Sequence, residues 1–221
     1  EIFLTFLAQN EGSILSDDWS KVTINDERGL ETMEFMAQLA KCALVQGGYL
    51  SDPFGQGLIA MFVDTSAGYP YNLAAAQQGG FEMRVAKVPC HKNCASMVQG
   101  TNLGVFAMNQ TPEQIDAAVK LIEFLLRPEN TVYWAEETGY LPVTISGLGS
   151  EEWKAFTEAH PERAVMTEQF LEGGFGQLHH PAYWDIRSVI ITYYEQVLRG
   201  EADPKTALDN LAAEIEALIS E

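Results

Sequence analysis

Leu30, Met33, Met36, Ala40 and Leu44 recur at steps of three and four residues, which puts them on one face of a helix predicted over residues 26–46. Asn25 and Asp26 can cap its start, and Gly47-Gly48 marks its stop. The apolar run Leu58 to Val63 suits a short buried strand, and Glu82 to Pro89 alternates as a second. Between them a helix is expected over Tyr71 to Gln78. Val98 to Met108 reads as a long strand interrupted by Gly100 and Gly104. It leads into Thr111-Pro112-Glu113-Gln114, a capping box with proline at the first helical position. Ile115, Val119, Ile122 and Leu126 then form one apolar stripe. Further helices are predicted near 129–137, 151–172, 182–199 and 204–219, the last with Asp203 as cap and Leu208, Leu211, Ile215 and Leu218 as its core face. Strands interleaved with helices argue for an α/β architecture whose sheet is covered on both faces. No internal repeat or low-complexity tract interrupts this order, and the loop from Ser146 to Ser150 is the best break on composition.

Composition narrows the partners. The 221 residues, 47% of them hydrophobic, suffice for one large domain or two small ones. Thirteen basic against thirty-one acidic residues give a formal charge of −18, which repels nucleic-acid phosphates and anionic lipid heads. Between Asn93 and Pro112 no residue is charged, but Asn, Gln, Thr, Ser and Gly interrupt the apolar positions, so a membrane span is not expected there. Glu1 opens directly into Ile2-Phe3-Leu4 without a methionine or signal-like segment, and the natural beginning is expected to lie upstream.

The chemistry-bearing residues are sparse. Cys42, Cys90 and Cys94 are too few for a disulfide-built scaffold. Cys90 and Cys94 can close a small disulfide, remain free thiols, or offer thiolates with His91 to a metal; a fourth ligand at zinc-type spacing is missing. His179 and His180 are neighbours on an extended chain and point apart, so neither is given a role. Glu136-Glu137, Glu151-Glu152 and Glu214 with Glu216 belong to solvated helix faces, and no nucleophile-elbow or metal-ligand motif is present. An enzyme is not expected, and neither is a cofactor. A glycoside hydrolase relying on carboxylates alone is the residual catalytic reading.

The stretch Ala117 to Thr144 joins two amphipathic helices through Arg127-Pro-Glu-Asn130 and runs into Thr138-Gly-Tyr-Leu-Pro142. It resembles the extracytoplasmic solute-binding proteins of ABC importers, in the branch that binds sn-glycerol 3-phosphate and related sugars. Gly57 to Met61 with Asp64 to Gly68, Phe81 to Pro89, Gly100 to Leu103, Pro181 to Ser188 and Gly200 to Leu208 are similar to further pieces of that family, in the same order. The resemblance covers nearly the whole chain but only the second half of a usual family member. It implies a periplasmic-binding-protein type II lobe, a mixed sheet flanked by helices, in an incomplete two-lobe protein. On that pattern 1–98 begins the second lobe, 99–143 is a crossing strand and helix pair of the first lobe, and 144–221 completes the second. Lobes of this family close around a small solute and deliver it to the permease subunits of the importer. The implied ligand is glycerol 3-phosphate, a glycerophosphodiester or a related sugar, with a neutral sugar or oligosaccharide as the alternative. The implied location is periplasmic or extracytoplasmic, with a lipid anchor on a missing N-terminus as one arrangement.

Four positions fit the family's ligand contacts, Ser66 with Thr65 beside it, Gly100, Tyr140 and Arg187, and Trp184 is a further candidate. Thr65 and Ser66 follow an apolar run, where a hydroxyl can donate to a ligand oxygen or simply bond its own turn. Gly100 would let the backbone approach a ligand, or mark a strand bulge. Tyr140 can cover an apolar ligand edge while its hydroxyl bonds to it, or pack half-buried. Arg187, early in a helix whose Ile186, Val189, Ile190 and Tyr193 face the core, can hold a phosphate bidentately. Its bland alternative is an ion pair with Asp185 or Glu136. Trp184, beside Tyr183, can stack on a sugar ring or fill core.

Overall fold

The computed structural model describes residues 1–220. Its elements are, in order, α1 (Ile2–Gln9), α2 (Glu27–Ala40), α3 (Ser51–Gly55), α4 (Tyr69–Gly79), β1 (Ser96–Met97), α5 (Pro112–Leu125) and α6 (Pro128–Thr138). There follow α7 (Ile145–Leu148), α8 (Glu151–Ala159), α9 (Pro161–Gly173), β2 (Gly174–Phe175), α10 (Tyr183–Leu198) and α11 (Pro204–Ile219). They divide into two compact units. Unit 1 comprises Glu1–Tyr49, Val88–Gln99 and the chain from Gln169 onward, and unit 2 comprises Leu50–Lys87 and Gly100–Glu168.

Unit 1 is built on the helical stripes read from the sequence. Leu208, Leu211 and Ile215 of α11, Ile186 and Ile190 of α10, and Met33 and Met36 of α2 meet Phe3, Leu4 and Leu7 of α1 in one core. Each such side chain contributes about 1.5–3 kcal/mol by leaving water. Local caps fix the helix starts: Asp26 Oδ1 accepts from Gly29 N at 3.0 Å, and Asp203 Oδ1 accepts from Thr206 N at 3.0 Å. The α2 helix nevertheless stops at Ala40 rather than near residue 46. Leu39 and Leu44 are exposed, so burial rewards no further turn beyond Met36.

Unit 2 has a smaller core in which Val132, Ala135 and Trp153 pack with Leu141, Leu148 and Phe156. Phe54 lies edge-on to both Phe62 and Phe81, at 5.1 Å each, and secures α3 beside the segments that follow it. The capping box forms as expected: Thr111 Oγ1 accepts from Gln114 N, and Gln114 Oε1 accepts from Thr111 N at 2.8 Å. The stripe that follows it is not buried, however. Val119 and Leu126 are exposed, and Ile115 and Ile122 only half-buried. The single helix expected over 151–172 is two, because Pro161 has no amide to donate and forces His160 out of helical geometry (φ −127°, ψ 78°).

Helices and strands are combined as expected, but the expected mixed sheet is reduced to two parallel strands among the described residues. β1 pairs in parallel with β2, and Val98 N extends the ladder to Phe175 O at 2.8 Å. The strands expected over 58–63, 82–89 and most of 98–108 are irregular instead. A strand needs a neighbour's carbonyls and amides as well as its own pattern, and no described element pairs with them. Leu58, Met61, Leu103, Phe106 and Met108 remain exposed accordingly.

Cys90 and Cys94 are joined by a disulfide, which takes up both sulfurs weighed as free thiols or metal ligands. The loop it closes completes α1. Lys92 N and Asn93 N donate to Gln9 O at 3.1 and 3.3 Å, and Asn93 Nδ2 donates to Ala8 O at 3.0 Å. Ala8 O also accepts from Glu11 N at 2.9 Å, whereas the Gln9 carbonyl takes its donors from this loop. From the loop the chain enters β1, where Gln9 Nε2 donates to Ala95 O and Met97 N donates to Thr5 Oγ1. Replacing Cys94 with Ser should lower the unfolding free energy by about 2 kcal/mol, from the loop-closure entropy of so short a ring. Urea titration under oxidising conditions reads this directly, and a midpoint equal to that of the unsubstituted protein would contradict it.

Candidate functional site

In unit 2, the first candidate pair lies on a tight turn. Asp64 fixes its entry: Oδ1 accepts from Thr65 N at 2.8 Å and Oδ2 accepts from the buried Asn72 Nδ2 at 2.7 Å. Thr65 Oγ1 then accepts from Ala67 N at 3.0 Å and caps the short 3-10 turn Ser66–Gly68 that runs into α4. The Thr65 hydroxyl is therefore engaged in its own turn. Ser66 is half-buried, and its hydroxyl has no protein partner among the described residues.

The second turn follows α6, which ends at Gly139 in the left-handed region (φ 82°). A Cβ at Gly139 would fall 2.7 Å from Ser66 O and 3.0 Å from Pro70 Cδ, so only glycine permits both the backbone angle and the approach. The turns carrying Ser66 and Tyr140 thus touch through their main chains. Tyr140 is half-buried; its carbonyl accepts from Arg163 Nη2 at 2.7 Å, and its hydroxyl is unpartnered among the described residues. Gly100 is exposed in irregular backbone, with no atom within 4 Å of where a Cβ would lie.

Behind these turns lies a polar cluster for which the sequence carries no visible signal. Arg163 is 2% exposed, and its Nη2 also donates to Ala135 O at 2.9 Å. Its guanidinium faces the rings of Tyr69, Trp153 and Phe156 at 5.7 Å each. Burial pushes its pKa down, opposed by Glu162 and Glu136. Tyr69, one residue beyond the Ser66–Gly68 turn, donates its hydroxyl to Glu162 Oε1 at 2.7 Å. Burial first, and then the Glu162 carboxylate, push the phenol up to about 12.

In unit 1, Arg187 and Trp184 share the start of α10. Arg187 Nε donates to Glu1 Oε1 at 2.6 Å, so its ion pair is with Glu1 and not with Asp185 or Glu136. Burial raises the Glu1 pKa, but the hydrogen bond and charge of Arg187, the neighbouring terminal amine and Gln99 together outweigh it and leave the carboxyl below its ordinary value. The same bond raises Arg187. Its Nη atoms keep no protein partner among the described residues, and the guanidinium stands 5.9 Å from the Trp184 ring centre. Trp184 is 65% exposed while Tyr183 beside it is buried, so Trp184 is not core.

Two open depressions, of about 470 Å³ around Trp19 and Glu216 and about 280 Å³ around Tyr133 and Glu136, include none of these residues. Among the described residues no group of three or more His, Cys, Asp or Glu is placed to hold a metal ion. No helix among them is long and apolar enough to cross a membrane.

Two outcomes test this geometry. Gly139→Ala should cost about 1–2 kcal/mol from the backbone angle alone, with the Ser66 contact adding to it; chemical denaturation that shows no loss would rule out the close approach. A phenol whose pKa is raised on folding adds stability below its ordinary value of 10.0, and loses it as pH climbs through about 12. Alkaline near-ultraviolet titration of wild type and Tyr69→Phe should therefore differ by a group ionising near pH 12, not near 10.

Residues 2–161 match the family described as bacterial extracellular solute-binding protein. The chain is 26% identical over 215 residues to the sn-glycerol-3-phosphate-binding periplasmic protein UgpB of Brucella abortus, an alignment covering 91% of this chain and 48% of that relative. It therefore spans about half the length of the curated relatives it matches. Among solved structures, the cyclic alpha-maltosyl-1,6-maltose binding protein of Arthrobacter globiformis superposes with a TM-score of 0.78 at 23% identity, over 99% of this chain and 55% of that one. UgpB from Mycobacterium tuberculosis, in complex with glycerophosphocholine, gives 0.78 at 17% identity over the same shares. These likenesses make the fold that of the type II periplasmic binding proteins. With its family matched over most of its length, the chain belongs to the bacterial extracellular solute-binding proteins.

Proposed function

We propose that the protein carrying this chain is the solute-capturing component of an ABC importer, acting outside the cytoplasm, and that it takes up sn-glycerol 3-phosphate, a glycerophosphodiester or a related sugar. The observation that carries the reading is the junction of the Ser66 and Tyr140 turns, which brings two unpartnered hydroxyls from distant parts of the chain onto neighbouring main-chain segments. Binding without turnover needs a few convergent polar groups of this kind. Arg187 supplies the anion-specific element. Its Nε is committed to Glu1, and its Nη donors remain for a phosphate oxygen. Trp184 offers an exposed ring to an apolar ligand face. Gly100 offers a bare amide, and Thr65 shapes the turn that presents Ser66.

A neutral sugar or oligosaccharide is the second reading. A formal charge of −18 opposes the approach of an anion, and the Glu1 carboxylate offsets the Arg187 charge locally. Mobile ions screen the overall charge beyond about 8 Å at physiological salt, so the nearby donors decide between the two ligands. The Arthrobacter relative, named for a cyclic maltosyl-maltose, supports this alternative. In either case the partner is the importer's permease, and no step requires a catalytic residue or a cofactor.

Thermal-shift measurements on the full-length protein with sn-glycerol 3-phosphate, glycerophosphocholine and maltose test the proposal, because a ligand that binds the folded state raises the midpoint by mass action. Arg187→Ala should abolish the shift from the two phosphate compounds and spare one from maltose. Equal loss of both would remove Arg187 from phosphate recognition, and no shift with any of the three would remove these solutes.

A further inference from the structure

We propose that the first turn of α9 is a clamp, in which Arg163 acts as the positioning residue that holds the Tyr140 turn against the Ser66 turn and so preforms the hydroxyl pair offered to the solute. This rests on the reading of Ser66 and Tyr140 as ligand contacts. Glu162 and Arg163 are adjacent, yet each grips a different turn. Glu162 accepts the Tyr69 hydroxyl at 2.7 Å, at the start of the helix that follows Ser66–Gly68. Arg163 Nη2 donates to Ala135 O at 2.9 Å and Tyr140 O at 2.7 Å, bridging the last turn of α6 to the residue beyond Gly139. The two turns meet where Gly139 approaches Ser66 O.

A buried guanidinium is a costly way to fill space, since a cation removed from water loses hydration that the interior must replace. Among the described residues Arg163 forms no salt bridge with a carboxylate, and its buried Nε has no hydrogen-bond partner. What compensates it is the negative end of the α6 dipole, the three aromatic faces and the carboxylates at longer range. An apolar side chain could fill the same volume without that cost. Only a donor able to reach two carbonyls on either side of a glycine turn fixes where Tyr140 leaves the helix, and that is the property binding needs.

The test uses the full-length protein, with calorimetric titration of sn-glycerol 3-phosphate and maltose and with hydrogen exchange of the free protein. Arg163→Met should weaken binding of whichever probe the wild type takes by about tenfold or more, while Arg163→Lys recovers part of the loss. In a Tyr140→Phe background Arg163→Met should cost little further, because both changes act through one hydroxyl. Exchange should quicken at residues 136–142 and 65–72 and stay unchanged elsewhere in unit 2. Additive penalties, or exchange that rises evenly over unit 2, would overturn the clamp and leave Arg163 a general stabiliser. If the wild type binds neither probe, the solute reading fails by itself, and exchange at the two turns alone decides the clamp. Should Arg163→Met not fold, Tyr69→Phe, which removes the hydroxyl donated to Glu162, replaces it: loosening confined to 65–72 supports the clamp, and none there refutes it.

Discussion

A helix that ends inside a protein leaves its last carbonyls short of donors, and in both units a residue or loop distant along the chain brings donors to a helix end. In unit 1 the α1 carbonyls of Ala8 and Gln9 are met by the disulfide-closed loop 90–94, which then delivers the chain to β1. In unit 2 the Ala135 carbonyl of α6, which accepts from Gly139 N at 3.2 Å, takes a second donor from Arg163, which reaches on to Tyr140 O. Each solution uses residues far away in sequence to close a helix. Each therefore couples the end of a helix to the exact course of the segment that follows or faces it. Of the three carbonyls, that of Gln9 depends on the distant donors alone, while those of Ala8 and Ala135 share them with a backbone amide.

Hydrogen bonding also separates the side chains that hold these turns from those that keep free donors and are proposed as ligand contacts. Thr65, Asp64 and Asn72 bond one another's turn and are occupied. Ser66 and Tyr140, framed by them, keep their hydroxyls unpaired among the described residues. Arg187 falls between these cases, with one nitrogen spent on Glu1 and others open. On a chain with thirty-one acidic residues against thirteen basic ones, such local donors matter more than the overall field, which salt screens within about 8 Å.

The helices were legible because their signals are local. The stripe of Leu208, Leu211 and Ile215, the Asp203 cap and the Thr111 capping box each lie within a few residues of one another, and the structure forms all of them. Where a reading needed something outside its own window, it went astray. The apolar runs 58–63 and 98–108 carry strand patterns, but pairing depends on a neighbour the pattern does not specify. The α5 stripe is amphipathic in sequence and exposed in space for the same reason. Ser66, Tyr140 and Arg187 were reached through family resemblance, since a lone serine, tyrosine or arginine has no periodicity to betray it.

What the sequence by itself determined is thus the set of helices, their caps and most of their core faces, because hydrogen bonds between residues three and four apart write a pattern into the chain. The tertiary structure alone decided that Gly139 meets Ser66, that Arg163 binds the carbonyls of Ala135 and Tyr140, that Arg187 pairs with Glu1, and that the 90–94 loop donates to the end of α1. Those contacts join groups whose separation along the chain leaves no local trace, and their geometry exists only once the intervening helices have packed.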